Sequence, residues 1–175
     1  MSFLIAPSKE MPGASSGQFF GILNHIFNGI STNHIVAIEL DTFQDQEFND
    51  INDNHVAIGI NSLVSVKSAP AGYFLNEYVE FKNLSLASGE LTQVWVGYDA
   101  TRNQLNITLS PIHTNQLDVL GWSFQFDEQA QELYLSRIPL YLLNNQKGKS
   151  SIGSWIIHNR SDFGGDNSHF RLYME

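Results

Sequence analysis

The sequence predicts an all-β chain, and three observations carry that prediction. Apolar residues recur at every second position at Val94, Val96 and Tyr98, at Leu105, Ile107 and Leu109, and at Leu120, Trp122, Phe124 and Phe126. Each set therefore shares one face of a strand. Aromatic residues make up 12% of the 175 residues and charged residues only 15%, which suits a sandwich of sheets and argues against a disordered chain. Turn residues punctuate the runs at Pro70-Ala71-Gly72, Ala87-Ser88-Gly89 and Asp99-Ala100-Thr101.

Taken in order, residues 19–27 have the composition of a short helix. Val36-Ala37-Ile38-Glu39-Leu40-Asp41 reads as a strand, so Glu39 and Asp41 project from one face. Residues 45–54, rich in Asp and Asn, read as a loop. His55-Val56-Ala57-Ile58-Gly59-Ile60 returns as a strand. Two strand ends and their loop can thus converge on one spot. After Pro139 the pattern fades, and Asn144-Asn145-Gln146-Lys147-Gly148-Lys149 is linker-like.

That spot is chemically unusual. Glu39, Asp41, Asp45, Glu47, Asp50 and Asp53 stand in a stretch with no Lys or Arg between Lys9 and Lys67. Carboxylates this close repel one another unless something positive sits among them. Hard divalent ions take carboxylate and carbonyl oxygens, and His55 adds a nitrogen better suited to a transition ion than to calcium. The segment reads as a site for two metals. An EF-hand is a poor fit, because the Gly bend and closing bidentate Glu are missing. The alternatives are a solvated acidic loop, or an acid/base pair formed by Glu39 and Asp41. Cation ligation explains the carboxylates better than catalysis, since it would hold them ionised, so no enzyme is expected.

At these residues the chain resembles the legume (L-type) lectins, and most closely the lectin domain of plant L-type lectin receptor kinases. The matching runs are Ile35-Val36-Ala37-Ile38-Glu39-Leu40-Asp41-Thr42-Phe43, Asp50-Ile51-Asn52-Asp53-Asn54-His55-Val56 and Ile60-Asn61-Ser62-Leu63-Val64-Ser65-Val66. Phe3-Leu4-Ile5-Ala6-Pro7-Ser8, Val94-Trp95-Val96, Leu105-Asn106-Ile107-Thr108-Leu109 and Leu120-Gly121-Trp122-Ser123-Phe124 also match, in the same order. The resemblance implies a concanavalin A-like jelly-roll sandwich. It divides the chain into a partial lectin domain over 1–139 and an unrelated or irregular tail over 140–175. The sandwich is expected to be incomplete, with family strands missing before Phe3 and a segment missing after Ile112.

Carried over by position, the resemblance gives Glu39 and His55 to a transition ion, manganese in the family. It makes Asp41 and Asp50 bridges to Ca2+ and Phe43 the donor of a backbone oxygen to Ca2+. Ser65 falls near the Mn2+ place. Asp45 stands where the family has Asn; it keeps a metal oxygen but loses the amide donor to the sugar. Gly17, in Ser15-Ser16-Gly17-Gln18-Phe19, matches the glycine loop of the sugar site, and Phe43 its stacking ring, although Phe43 read alone could be a core residue. The implied function is carbohydrate binding. The alternative is a degenerate lectin-like scaffold that acts through protein contacts.

Other features bound the partners. The formal charge is −9 and the pI about 5.0, which argues against nucleic acid and anionic membranes as partners. There is no Cys for disulfides or thiol chemistry. The start of the chain reads as having no signal peptide, and no apolar run reaches membrane-helix length. Localisation is therefore left open between an extracellular family and a chain without an export signal. Asn83, Asn106 and Asn159 open glycosylation sequons of a glycoprotein, with Asn106 expected on the polar face of a strand. Unpaired sheet edges would be covered by the tail or by a second copy, giving a homo-oligomer.

Overall fold

The computed structural model describes residues 1–8, 11, 13–75, 80–99, 102–112, 114, 119–126, 140–143, 158–159 and 167–174. Of these, 119, 140–143, 158–159 and 167–174 are described by their backbone. The strands are β1 (Ser2–Ile5), β2 (Val36–Asp41), β3 (His55–Ile60), β4 (Lys67–Pro70), β5 (Gly72–Leu75), β6 (Glu80–Asn83) and β7 (Thr92–Asp99). They continue as β8 (Gln104–Pro111), β9 (Val119–Leu120), β10 (Trp122–Gln125), β11 (Leu140–Leu143), β12 (His158–Asn159) and β13 (Asn167–Met174). All pairings are antiparallel, and the described residues contain no α-helix. The all-β prediction holds. No helix among the described residues is long and apolar enough to cross a membrane.

The chain forms two compact units. The first joins Met1–Pro70 to Gln129–Ile152. Its sheet runs in the order β11-β1-β2-β3-β4. The central strand β2 is buried on both faces, which explains its near-continuous apolar run broken only by Glu39 and Asp41. One face carries Phe3, Ile38, Leu40, Val56 and Ile58, all buried. The other carries Leu4 and Ala37, which pack with Phe19, Ile22, Leu23 and Phe48 from the loops above the sheet. Those loops occupy 19–27, where the composition would allow a short helix but the family resemblance implies strand and loop. The chain makes one 3₁₀ turn at Gly17–Phe19 and then bends and turns, with Phe20 left-handed at φ 53°. Asn24 holds these turns, because its Oδ1 accepts the amides of Ile26 and Phe27. The local asparagine chemistry outcompetes helix propensity.

The second unit joins Ala71–Glu128 to Gly153–Glu175. It holds a five-stranded sheet, β10-β8-β7-β13-β12, and a three-stranded sheet, β6-β5-β9. In β8 the predicted alternation is visible: Leu105, Ile107 and Leu109 are buried while Gln104, Asn106 and Thr108 are half-buried. The run 120–126 is not one strand. It breaks at Gly121, so that β9 pairs with β5 while β10 pairs with β8. A Cβ at Gly121 would stand 2.0 Å from the Ile107 carbonyl oxygen, and only glycine permits that approach. Leu120 is consequently 54% exposed while Phe126 is buried. Rings of Phe74, Phe81 and Trp122 cluster at this break, with centroids 5.1–6.0 Å apart.

The described residues beyond 139 are strands. Leu140–Leu143 pairs with β1, and Asn167–Met174 lies along all eight residues of β7. The part of the chain least legible by pattern thus supplies an edge strand to one sheet and an inner strand to another.

Candidate functional site

The site grows out of the β2–β3 hairpin. Alternation along β2 puts Glu39 and Asp41 on one face, and the antiparallel register sets His55 directly opposite Asp41. The connecting loop folds back over them. The Asp45 amide donates to Asp50 Oδ2 at 2.7 Å, and Gln44 Nε2 donates to the Asp50 carbonyl at 3.0 Å. A 3₁₀ turn at Gln46–Phe48 closes on the left-handed Asn49 (φ 60°) and buries Phe48. Asp50 is thereby delivered to the strand ends. One ligand atom from each of Asp41, Asp50 and His55 lies within 4.8 Å of the others.

Burial sets the electrostatics. Glu39 is 2% exposed and His55 is fully buried. Removal from water, followed by the charge of Asp41, pushes the Glu39 carboxyl up to about 8; the N-terminal ammonium works the other way. Burial also raises Asp50, against the Asp45 amide and His55, which favour its charged form. Glu39 Oε1 and His55 Nε2 are buried without a hydrogen-bond partner, as are Ser2 Oγ and Ser65 Oγ. Buried polar atoms left bare cost about 1–3 kcal/mol each, so the arrangement suits something absent from the polypeptide. His55 Nδ1 lies 2.8 Å from the Asn52 carbonyl, which only accepts, so Nδ1 carries a proton, and in the neutral ring it is Nε2 that presents a lone pair. Oxygen donors from carboxylates with one imidazole nitrogen fit a hard cation beside a transition ion.

The remaining positions fall around this cluster. Phe43 lies two residues after Asp41, its amide donating to Asp41 Oδ1 at 3.1 Å, and the residue is 54% exposed, not part of the core. Gly17 opens its turn at φ 71°, exposed, with no atom within 4 Å of where a Cβ would stand. The glycine loop is tied to the acidic loop: Gln18 Nε2 donates to Glu47 Oε2 at 2.8 Å, and the Phe19 ring meets Phe48 edge-on at 5.6 Å. Gly17 is therefore brought toward the acidic loop. Sequence reasoning missed Asn52, Gln44, Gln18 and Ser2. The first three act through a backbone carbonyl or a side-chain amide, and such roles leave no spacing signal. Of the sequons, Asn83 is exposed at the end of β6. Asn106 is half-buried, its Oδ1 accepting from Ser123 Oγ at 2.6 Å, and Asn159 lies in β12.

Known proteins are similar to this chain over most of its length. Residues 1–127 match the family model described as the legume lectin domain. The L-type lectin-domain containing receptor kinase V.9 of Arabidopsis thaliana is 38% identical over 173 residues, covering 79% of this chain and 26% of that protein. Receptor kinase V.4 of the same plant is 52% identical over 110 residues, covering 63% of this chain and 17% of that protein. Among solved structures, a lectin from Bauhinia forficata in complex with GalNAc superposes with a TM-score of 0.58 at 19% identity. It covers 98% of this chain and 61% of that one. The chain thus spans about a quarter of the first of these receptor kinases and about three-fifths of the solved lectin. The kinase part of those receptors has no counterpart in these 175 residues, and the matched domain is not an enzyme.

Proposed function

Because the chain belongs to the legume lectin domain family, we propose that it is a carbohydrate-binding domain whose sugar site is held in shape by calcium and a transition ion, manganese. The observation that carries this reading is the convergence of Asp41, Asp50 and His55 within 4.8 Å, next to a Glu39 oxygen buried without a partner. Glu39 and His55 hold the transition ion, Asp41 and Asp50 bridge to calcium, and the Phe43 carbonyl and Asp45 complete the calcium set. The ions supply fixed positive charge that keeps the loop ordered and its carboxylates ionised. Gly17, the exposed Phe43 ring and Asp45 form the sugar-facing side. The GalNAc of the Bauhinia complex makes a hexose-type ligand the natural probe.

Asp45 favours one competing reading. As a carboxylate it accepts hydrogen bonds and cannot donate the amide proton that an Asn would, which supports a scaffold that keeps metals but has lost sugar. A glycan array with and without EDTA separates the two. Selective binding that EDTA abolishes supports the lectin, and metal binding by calorimetry with an empty array supports the scaffold.

A further inference from the structure

Glu47 takes no part in the metal cluster, yet it is a charge tied directly to the glycine loop. Its side chain is 56% exposed. Oε2 accepts from Gln18 Nε2 at 2.8 Å, and Oε1 lies 3.9 Å from His25 Nδ1. The Phe19–Phe48 ring contact fixes the two loops against each other at this point. Gln18 directly follows Gly17, above which there is open space. Glu47 is thus anchored at the mouth of the site, next to where a sugar would pass the glycine loop.

The charge of its stretch of chain is one-sided. Residues 10–66 contain no Lys or Arg. Two divalent cations would neutralise Glu39, Asp41, Asp45 and Asp50, leaving Glu47 and Asp53 uncompensated. Among the described residues, His25 Nδ1 stands 3.9 Å from Glu47 Oε1, and the N-terminal ammonium is engaged with the Leu40 carbonyl at 2.9 Å. The buried Glu39 Oε1 and His55 Nε2, neither with a hydrogen-bond partner, mark the neighbouring carboxylate cluster as a place for a ligand.

We propose that Glu47 makes the glycan site select by charge, admitting neutral hexose glycans and disfavouring their uronate counterparts. This rests on the sugar-binding reading above. An ammonium-bearing amino sugar is favoured by the same field. Because the pair is exposed to solvent, the effect is modest and salt-sensitive.

The test uses the full chain loaded with calcium and manganese. Affinities for galactose against galacturonate oligomers, and for glucose against glucuronate, are measured at low and high salt for the wild type, Glu47→Gln and Glu47→Lys. Glu47→Gln keeps an acceptor for Gln18, so the loop stays in place. The expected neutral-to-uronate preference is about threefold to fivefold beyond that of Glu47→Gln at low salt, shrinking in high salt and reversing in Glu47→Lys. A ratio unchanged across the three proteins overturns the inference while leaving sugar binding intact. Failure of every glycan to bind overturns both.

Discussion

His55 and Asn52 are joined by a 2.8 Å hydrogen bond from the ring Nδ1 to a loop carbonyl, and this bond turns the bare Nε2 toward Asp50 Oδ1, 3.8 Å away. The loop thus sets the tautomer of the only imidazole in the cluster. His55→Gln is expected to weaken manganese binding by more than about tenfold while calcium falls less. Titration calorimetry with each ion checks this, and equal losses for both ions would separate His55 from the transition-ion place.

Asp41→Ala and Asp50→Ala are each expected to abolish measurable binding of both ions, since each side chain lies in the shared cluster. Thermal unfolding gives a second reading. Saturating calcium and manganese should raise the wild-type midpoint and leave both variants unmoved. Full binding retained in either variant would dismiss the proposed ligand set.

The raised pKa of Glu39 predicts a pH dependence of the metal-free protein. In the unfolded chain the carboxyl loses its proton near its ordinary 4.5, whereas in the fold it keeps it to about 8. Between those values the native state binds more protons, so stability falls as pH rises through the window. Asp50 is shifted in the same direction. Urea midpoints in EDTA from pH 5 to 8 should decline, and Glu39→Gln should flatten the profile. Metal binding runs the other way and strengthens towards pH 8, because the ion takes the ionised carboxylate.

Gly121→Ala should destabilise the protein by at least about 2 kcal/mol, because its Cβ would collide with the Ile107 carbonyl oxygen and the Thr108 backbone. Urea denaturation measures this. A neutral effect would mean that the backbone at the β9–β10 break can shift freely.

Removing residues 167–174 should convert the protein from a defined species into aggregates. β13 is the hydrogen-bonded neighbour of β7 along its whole length, and β7 is buried from Thr92 to Gly97. Size-exclusion chromatography of the truncated chain checks this, and a monomer of unchanged stability would refute it.

Much of the site was legible in the sequence because strand geometry transmits spacing directly. Glu39 and Asp41 are two residues apart, and β2 places both on one face. Asp50 and His55 are five apart, and the loop brings both to the same point. What stayed hidden depends on single backbone atoms or on distant partners. The Asn52 carbonyl has no signature, and the helical composition of 19–27 gives no hint that Asn24 will cap turns instead. The break at Gly121 is set by the neighbouring Ile107 carbonyl rather than by its own flanks, so alternation over 120–126 reads as one strand where there are two. Strands 140–143 and 167–174 are short of periodic signal because β1 and β7, far back in the chain, decide where they pair.

Those last pairings shape how the chain reaches its native state. Ser2–Ile5 is synthesised well before Leu140–Leu143, its outer neighbour in the sheet. β7 likewise waits for β13. Contacts this distant in sequence make folding slow, since loop closure must precede any reward from pairing. During translation the β1 edge stands open until residues 140–143 emerge, and the β7 edge until residues 167–174 emerge. That interval, rather than the finished fold, is when this protein is most exposed to misassembly, and when a chaperone matters most.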